Sequence, residues 1–388
     1  MQDLYRSPAP LDALTIKQAE FEKPPGLVDD LIVVEDLEAL GQYGALHLAT
    51  VIDFAKRFNR RVVVDMPTGS SPRPMWEALA TMVKNREIDL SQVIWFGHEA
   101  DWPPQTGTSL DFEQQRIAIL QKLEVNIVPI MDVEAVSGDT IQGNYIPMHL
   151  SKPEDPSNLE QVALAAHESA KLYDQIVSAL LCRQDVVSVG YDGVGEDSHG
   201  WGELQQFHLW PEEWETTENT FVVPSGRYTP KGGLWKLQQN GSFNTGNNFV
   251  GLKYPEIFPM GLGRRHMRRL DHNLQIFNNP SKALALQRTL AALRGESLGE
   301  EEVLLSEFKA LGGQRGLDCE NMQTCYQVYQ AICSSFNEQT SEAEYYQLWG
   351  LANRYFGDTP VSKMIKERAA LGFPTTLITT TNVVKGIV

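Results

Sequence analysis

The chain reads as an α/β protein built on an open, mostly parallel sheet, and three observations say so. Short β-branched runs alternate with stretches of helical period from Leu31 to Phe277. Several of the strands end in glycine-, hydroxyl- or charge-bearing loops, and open α/β sheets bind ligands at those strand ends. The 388 residues are 42% hydrophobic and 21% charged, so there is ample apolar material for one large α/β domain or two smaller ones.

Residues 1–29 are proline-rich and aperiodic and read as an N-terminal extension lying on the surface. Leu31-Ile32-Val33-Val34 forms a short apolar strand. The helix after it keeps Leu37, Leu40, Gly44, Leu48, Val51, Ile52 and Ala55 on one face. The next strand, Arg61–Met66, stops at Pro67-Thr68-Gly69-Ser70-Ser71-Pro72. Trp76, Leu79, Ala80 and Val83 then repeat at helical spacing, with Pro74 suited to the first turn. A hydroxyl-bearing loop between strand and helix offers backbone N–H groups at a helix N-terminus, which suits phosphate. A plain βα turn explains the same residues.

Val93–Phe96 is a third strand, followed by a loop that carries His98, Glu99 and Asp101 and runs to Pro103-Pro104. A helix at about 110–123, a strand at Asn126–Met131 and a long helix at about 158–181 continue the alternation. His167 on that helix reads as a surface or boundary residue. The strand at 186–191 is expected to be central. It opens into Gly193-Val194-Gly195-Glu196-Asp197-Ser198-His199-Gly200, where an acid and an imidazole share a glycine loop, a suitable place for proton chemistry.

Residues 205–254 break the rhythm with turn-rich or hairpin sequence. Glu256–Met260 then leads into a segment with arginine at 264, 265, 268 and 269, of which Arg268 and Arg269 are expected to solvate a helix face. Asn273–Phe277 is a strand. The helix begun by Asn278-Asn279-Pro280-Ser281-Lys282 puts Lys282 in its first turn, where the helix macrodipole disfavours a cation unless both face an anion. Residues 301–371 are expected to be helical throughout, with Met322, Cys325, Tyr329, Ile332 and Phe336 as one core stripe. Thr375–Thr380 is a terminal strand.

The net charge of −17 argues against nucleic acid and anionic membrane surfaces as partners. No apolar run approaches the ~20 residues a membrane-spanning helix needs, and the first residues lack a basic-then-apolar signal pattern. Four cysteines without CxxC spacing are read as reduced thiols, packing residues where they fall in helices, in a cytoplasmic protein. No cofactor and no metal set is expected.

The order of these segments resembles the glucosamine-6-phosphate deaminase and 6-phosphogluconolactonase superfamily. Met66–Pro72 resembles its phosphate loop, Gly193–His199 its Gly-x-Gly-x-Asp-Gly-His motif, and Ser281–Gln287 its phosphate-lysine helix. The similarity covers roughly residues 30–300 and the last strand. It implies a doubly wound, Rossmann-like sheet made of 30–300 and 372–388, with a loop insertion at 205–254 and a helical insertion at 301–371. It also implies a sugar-phosphate ligand and leaves a homo-oligomer open.

By the same resemblance Thr68, Gly69, Ser70, Ser71 and Lys282 bind phosphate, with Arg227 or Arg264 standing for the family's arginine. His199 opens the sugar ring with Asp197 assisting, and a carboxylate in the His98-Glu99 loop moves a proton between C1 and C2. The family has Asp-Glu where this chain has His98-Glu99, so either residue can stand for the base. Ser198 replaces the family's glycine, and Glu203 matches the family's glutamate only after a one-residue shift. The expected activity is that of a glucosamine-6-phosphate deaminase-like isomerase. A lactonase and a non-catalytic sugar-phosphate sensor are the alternatives.

Overall fold

The β-branched runs form strands because each can bury both faces, and helices cover both sides of the sheet they make. The computed structural model describes residues 26–97, 99–104, 111–194, 220–222, 258–262, 264–296, 301–335, 351 and 360–387. In chain order the first half comprises β1 (Asp30–Val34), α1 (Leu37–Arg57), β2 (Arg61–Asp65), α2 (Arg73–Lys84), β3 (Val93–Phe96), β4 (Glu99–Trp102) and α3 (Phe112–Lys122). There follow α4 (Glu134–Ser137), β5 (Tyr145–Ile146), α5 (Leu159–Leu181) and β6 (Val186–Gly193). The second half comprises β7 (Thr220–Val222), β8 (Phe258–Leu262), α6 (Arg264–Met267), β9 (His272–Phe277) and α7 (Ala283–Arg294). The helices α8 (Glu301–Gly313), α9 (Met322–Ser335) and α10 (Pro360–Ala370) precede β10 (Thr376–Thr380) and α11 (Thr381–Lys385).

Seven strands form the main sheet in the order β1-β10-β9-β6-β2-β3-β5, and all its pairings are parallel. Side chains alternate across it. Val62, Val64, Val187, Val189 and Ile276 pack with α1, α2 and α3, while Val63, Val186, Phe277 and Leu377 pack with α5, α7 and α10. Two faces each covered by helices make this a doubly wound α/β sheet, and β6 is its central strand, as its uninterrupted apolar run predicts. From β2 the chain winds outward through β3 and β5, and from β6 it winds the opposite way through β9 and β10. The winding therefore reverses between β2 and β6.

Several elements depart from the sequence reading. Asn126–Met131 makes only an isolated bridge, Pro129 to Tyr145, and the edge strand is Tyr145–Ile146 instead. Pro129 has no N–H to give a ladder, whereas Trp95↔Tyr145 and Phe96↔Ile146 pair in register. The expected loop after Phe96 becomes β4, which leaves the main sheet and pairs antiparallel with β8 in a three-stranded sheet, β4-β8-β7, against α5. Glu99 thus pairs with Gly261, a partner far away in sequence.

The segment 301–371 is not continuously helical, since 314–321 lies between α8 and α9. Within it Cys319 and Cys325 form a disulfide, with Cα atoms 5.0 Å apart, rather than two reduced thiols. The turn into α9 brings them together, and a spacing of six residues does not announce it. Arg268 and Arg269 follow a four-residue helix rather than lying on one, and Arg268 faces Glu367 of α10 at 3.8 Å. His167 is exposed, as expected. The end of the supposed extension packs inward: Val28 is buried and Asp29 N–H donates to Thr375 O. Among the described residues no helix is long and apolar enough to cross a membrane.

Candidate functional site

In open α/β sheets the ligand crevice forms outside the carboxyl ends of the strands where the winding reverses, which here is between β2 and β6. The residues after β2 fill one wall. Gly69 has φ +84°, a conformation that glycine adopts without steric cost, and it turns the chain so that Ser71 faces back toward β6. There the end of β6 must be glycine: a Cβ on Gly193 would lie 2.5 Å from Ser71 Cβ and 2.8 Å from its Oγ.

The other wall comes from the end of β9. Asn278 Nδ2 donates to Ser70 O at 3.3 Å, and Ser71 Oγ donates to Asn278 Oδ1 at 3.3 Å. Lys282 Nζ donates to Ser71 Oγ in a short hydrogen bond. Lys282 does not lie inside the first α-helical turn. Pro280–Lys282 forms a 3-10 turn capped by the side chain of Asn279, and Lys282 is the N-cap of α7. Proline at 280 suits that tight entry, and the result buries Lys282, 8% exposed, at the positive end of a helix. Lysine, serine hydroxyl, amide and a helix N-terminus together form a site able to accept an anion.

Glu99 closes the crevice at the opposite end of the same loop. It is buried, and Thr68 Oγ1 donates to its Oε1 at 3.1 Å. Only Gly69 and Ser70 therefore separate the hydroxyl that holds a carboxylate from the hydroxyl that meets the lysine. Just upstream, the Gly97 peptide is held on both sides by the Tyr173 hydroxyl, to which Gly97 N–H donates at 3.1 Å and which donates to Gly97 O. Burial raises the Tyr173 pKa well above its ordinary value, so the phenol stays protonated.

Thr68, Ser71, Glu99 and Lys282 are thus brought together, with Gly69 and Ser70 exposed at the rim. His98, Asp197, His199, Glu203 and Arg227 lie outside the described residues. Arg264 begins α6 beyond the small sheet, and its side chain lies outside them too.

The sequence reading gave no role to Asn278, although its place directly after a strand could have flagged it. It also passed over Tyr173 and Arg116. Tyr173 sits on the apolar face of a long helix, where nothing in the pattern separates it from a core residue. Asp192, near the end of β6, is fully buried and accepts from Asn273 Nδ2 at 2.6 Å and Gln275 Nε2 at 2.9 Å, which ties β6 to β9.

Fold and site define the class: a doubly wound α/β protein with lysine, serine and carboxylate side chains gathered at the switch point of its sheet. No protein-family model and no curated protein sequence matches the chain. Among solved structures it is similar to a monomeric glucosamine-6-phosphate deaminase of the NagB superfamily, at 12% identity and a TM-score of 0.46, over 92% of this chain and 99% of that one. It is similar as well to the 6-phosphogluconolactonase of Trypanosoma cruzi, at 13% identity and a TM-score of 0.49, over 92% and 96% of the two chains. A 6-phosphogluconolactonase from Shewanella baltica OS155 matches at 13% identity and a TM-score of 0.43, over 91% and 97%.

Proposed function

We propose that the chain is a sugar-phosphate enzyme of the aldose–ketose isomerase and deaminase kind, acting on a substrate like glucosamine 6-phosphate. The observation that carries this reading is the single loop Thr68–Ser71, which joins Lys282 at one end to the buried Glu99 at the other. A sugar phosphate needs both: charge-assisted donors for its phosphate, and a proton-transfer group some atoms away at C1 and C2. In this reading Gly69, Ser70, Ser71 and Lys282 take the phosphate, with Arg227 or Arg264 as a further cation. Glu99, or His98 beside it, moves the proton. His199, oriented by Asp197 and Glu203, exchanges a proton between ring oxygen and anomeric hydroxyl, and an imidazole that titrates near neutrality can do so in both directions.

A lactonase is the second reading, favoured by the run Trp95-Phe96-Gly97-His98-Glu99 followed by Pro103-Pro104, which resembles that branch's loop. There the same groups would activate water toward a phosphorylated lactone. Purified protein assayed with glucosamine 6-phosphate and with 6-phosphogluconolactone separates the two. Ammonia release with formation of a ketose phosphate is the expected result. Acid release from the lactone alone selects the second reading, and no turnover of either substrate overturns both.

A further inference from the structure

We infer that Tyr173 and Arg116 are positioning residues for Glu99, acting through the Gly97 peptide that both of them hold. This rests on the enzymatic reading of Glu99 given above.

Gly97 directly follows the last residue paired in the main sheet, before the chain crosses to the small one. Phe96 still pairs with Asp65 and Ile146, whereas Glu99 pairs with Gly261. Gly97 is therefore the described residue at which the chain leaves the main sheet on its way to Glu99. Tyr173, fully buried on α5, bonds to both the N–H and the carbonyl of Gly97. Arg116, fully buried on α3, meets the same residue from another side. A Cβ on Gly97 would fall 2.5 Å from Cζ and Nε and 2.6 Å from Nη1. Near-equal distances to three guanidinium atoms mean a face-on approach that only glycine permits.

The guanidinium is itself locked. Nη2 donates to Glu113 Oε2 at 3.0 Å, Glu113 Oε1 accepts from Tyr145 Oη at 2.7 Å, and Glu113 Oε2 also accepts from Met148 N–H at 3.4 Å. Burial alone would lower the Arg116 pKa, but Tyr145 and Glu113 outweigh it and the group stays charged. Nε and Nη1 find no acceptor among the described residues. A buried cation with one nitrogen bonded among the described residues is costly to keep, and an apolar side chain would fill the same space at lower cost. What arginine adds here is a rigid plane set against Gly97. β4 is held as well by its ladder to β8, by the Thr68 hydroxyl on Glu99 and by His149 Nε2 against Asp101 O at 2.9 Å, all of them at or after Glu99, whereas Gly97 lies before it. A shift of about 1 Å at a reacting group can cost as much as a hundredfold in rate, so Gly97 is where distant packing reaches the chemistry.

Tyr173→Phe tests the inference, because it removes both hydrogen bonds and keeps the ring. We expect kcat on the sugar phosphate to fall about tenfold with KM unchanged, since the anion pocket is untouched. Hydrogen exchange of the Gly97–Trp102 amides should quicken while that of β6 and α1 stays as in the unmodified protein. Arg116→Lys keeps a charge opposite Glu113 but has no plane to set against Gly97, so it should give the same split even if Tyr173→Phe folds poorly. Unmodified kcat in either folded variant, or a rise in KM with kcat unchanged, overturns the positioning role. An unmodified protein that turns over neither substrate overturns the enzymatic reading instead. The exchange rates then decide alone, and unchanged exchange at Gly97–Trp102 in Tyr173→Phe overturns the inference.

Discussion

Replacing Lys282 by methionine removes the cation of the proposed phosphate site while keeping an unbranched stem of similar length. Lys282 is 8% exposed, its ammonium donates to Ser71 Oγ and it caps the N-terminus of α7, so its charge acts in a partly desolvated place where screening by water and salt is weak. A hydrogen bond to a charged group under such conditions contributes about 1.5–3 kcal/mol, which converts to about a tenfold to hundredfold loss of affinity for a phosphorylated sugar. Affinity for the same sugar without its phosphate should not change. The free protein should be no less stable, because a buried ammonium gives way to an apolar side chain that is easier to bury. Calorimetric titration with glucosamine 6-phosphate and with glucosamine reads the first two effects. Thermal melting without ligand reads the third, and the shift of the midpoint with inorganic phosphate, which grows with the logarithm of concentration over Kd, checks the first. Lys282→Met protein that still binds the phosphorylated sugar with unmodified affinity would refute the reasoning, as would an unmodified protein that binds both sugars equally.

Gly193→Ala should weaken phosphate binding at least as much as the lysine variant. A methyl 2.5 Å from Ser71 Cβ must push the loop off the end of β6, and a crystal structure of the variant with Ser71 unmoved would contradict this. Glu99→Gln keeps the shape and the Thr68 contact but cannot accept a proton, so turnover should fall by ~100-fold or more with little change in KM. Full activity in this variant would shift the base to His98. Acid stability should depend on two buried histidines. Desolvation, with His272 nearby, lowers the His47 pKa to about 3, and desolvation, with Arg368 and Arg60 nearby, lowers that of His272 to about 4. Both are neutral in the fold and become protonated on unfolding below about pH 6.5, so their contribution is present above that pH and lost as pH falls. Each then removes about 1.4 kcal/mol per pH unit down to its folded pKa. Urea titrations at pH 7, 6 and 5 should show this slope, and His272→Gln should flatten it. An equal slope in the variant would contradict the assignment.

The strand and helix periods were legible in the sequence because each segment's burial is written in its own residues. The βα units around Leu31–Val34, Arg61–Asp65 and Val93–Phe96 alternate as read, and the apolar run before Gly193 marks the central strand. Half of the proposed phosphate site was legible for the same reason: a hydroxyl-rich loop after a strand and a lysine at a helix start are local signals. What joined them was not. Ser71 meets Gly193, Asn278 and Lys282 across more than a hundred residues of sequence, and only the reversal of winding between β2 and β6 brings those ends to one crevice.

Local pattern misled where pairing decided the outcome. Asn126–Met131 has the composition of a strand, but Pro129 lacks the N–H that a ladder needs, and Tyr145–Ile146 took the edge. Glu99 read as a loop residue because antiparallel pairing with Gly261 is invisible from either segment alone. Tyr173, Arg116 and Glu113 are the extreme case. On their helices they carry no pattern that distinguishes a surface pair or a core aromatic from a buried clamp on Gly97. The sequence by itself determined which segments fold and which loops could carry chemistry, since hydrophobic period and turn residues act over a few positions. Only the tertiary structure decided which loops meet, because that depends on strand order and on packing between residues the chain keeps far apart.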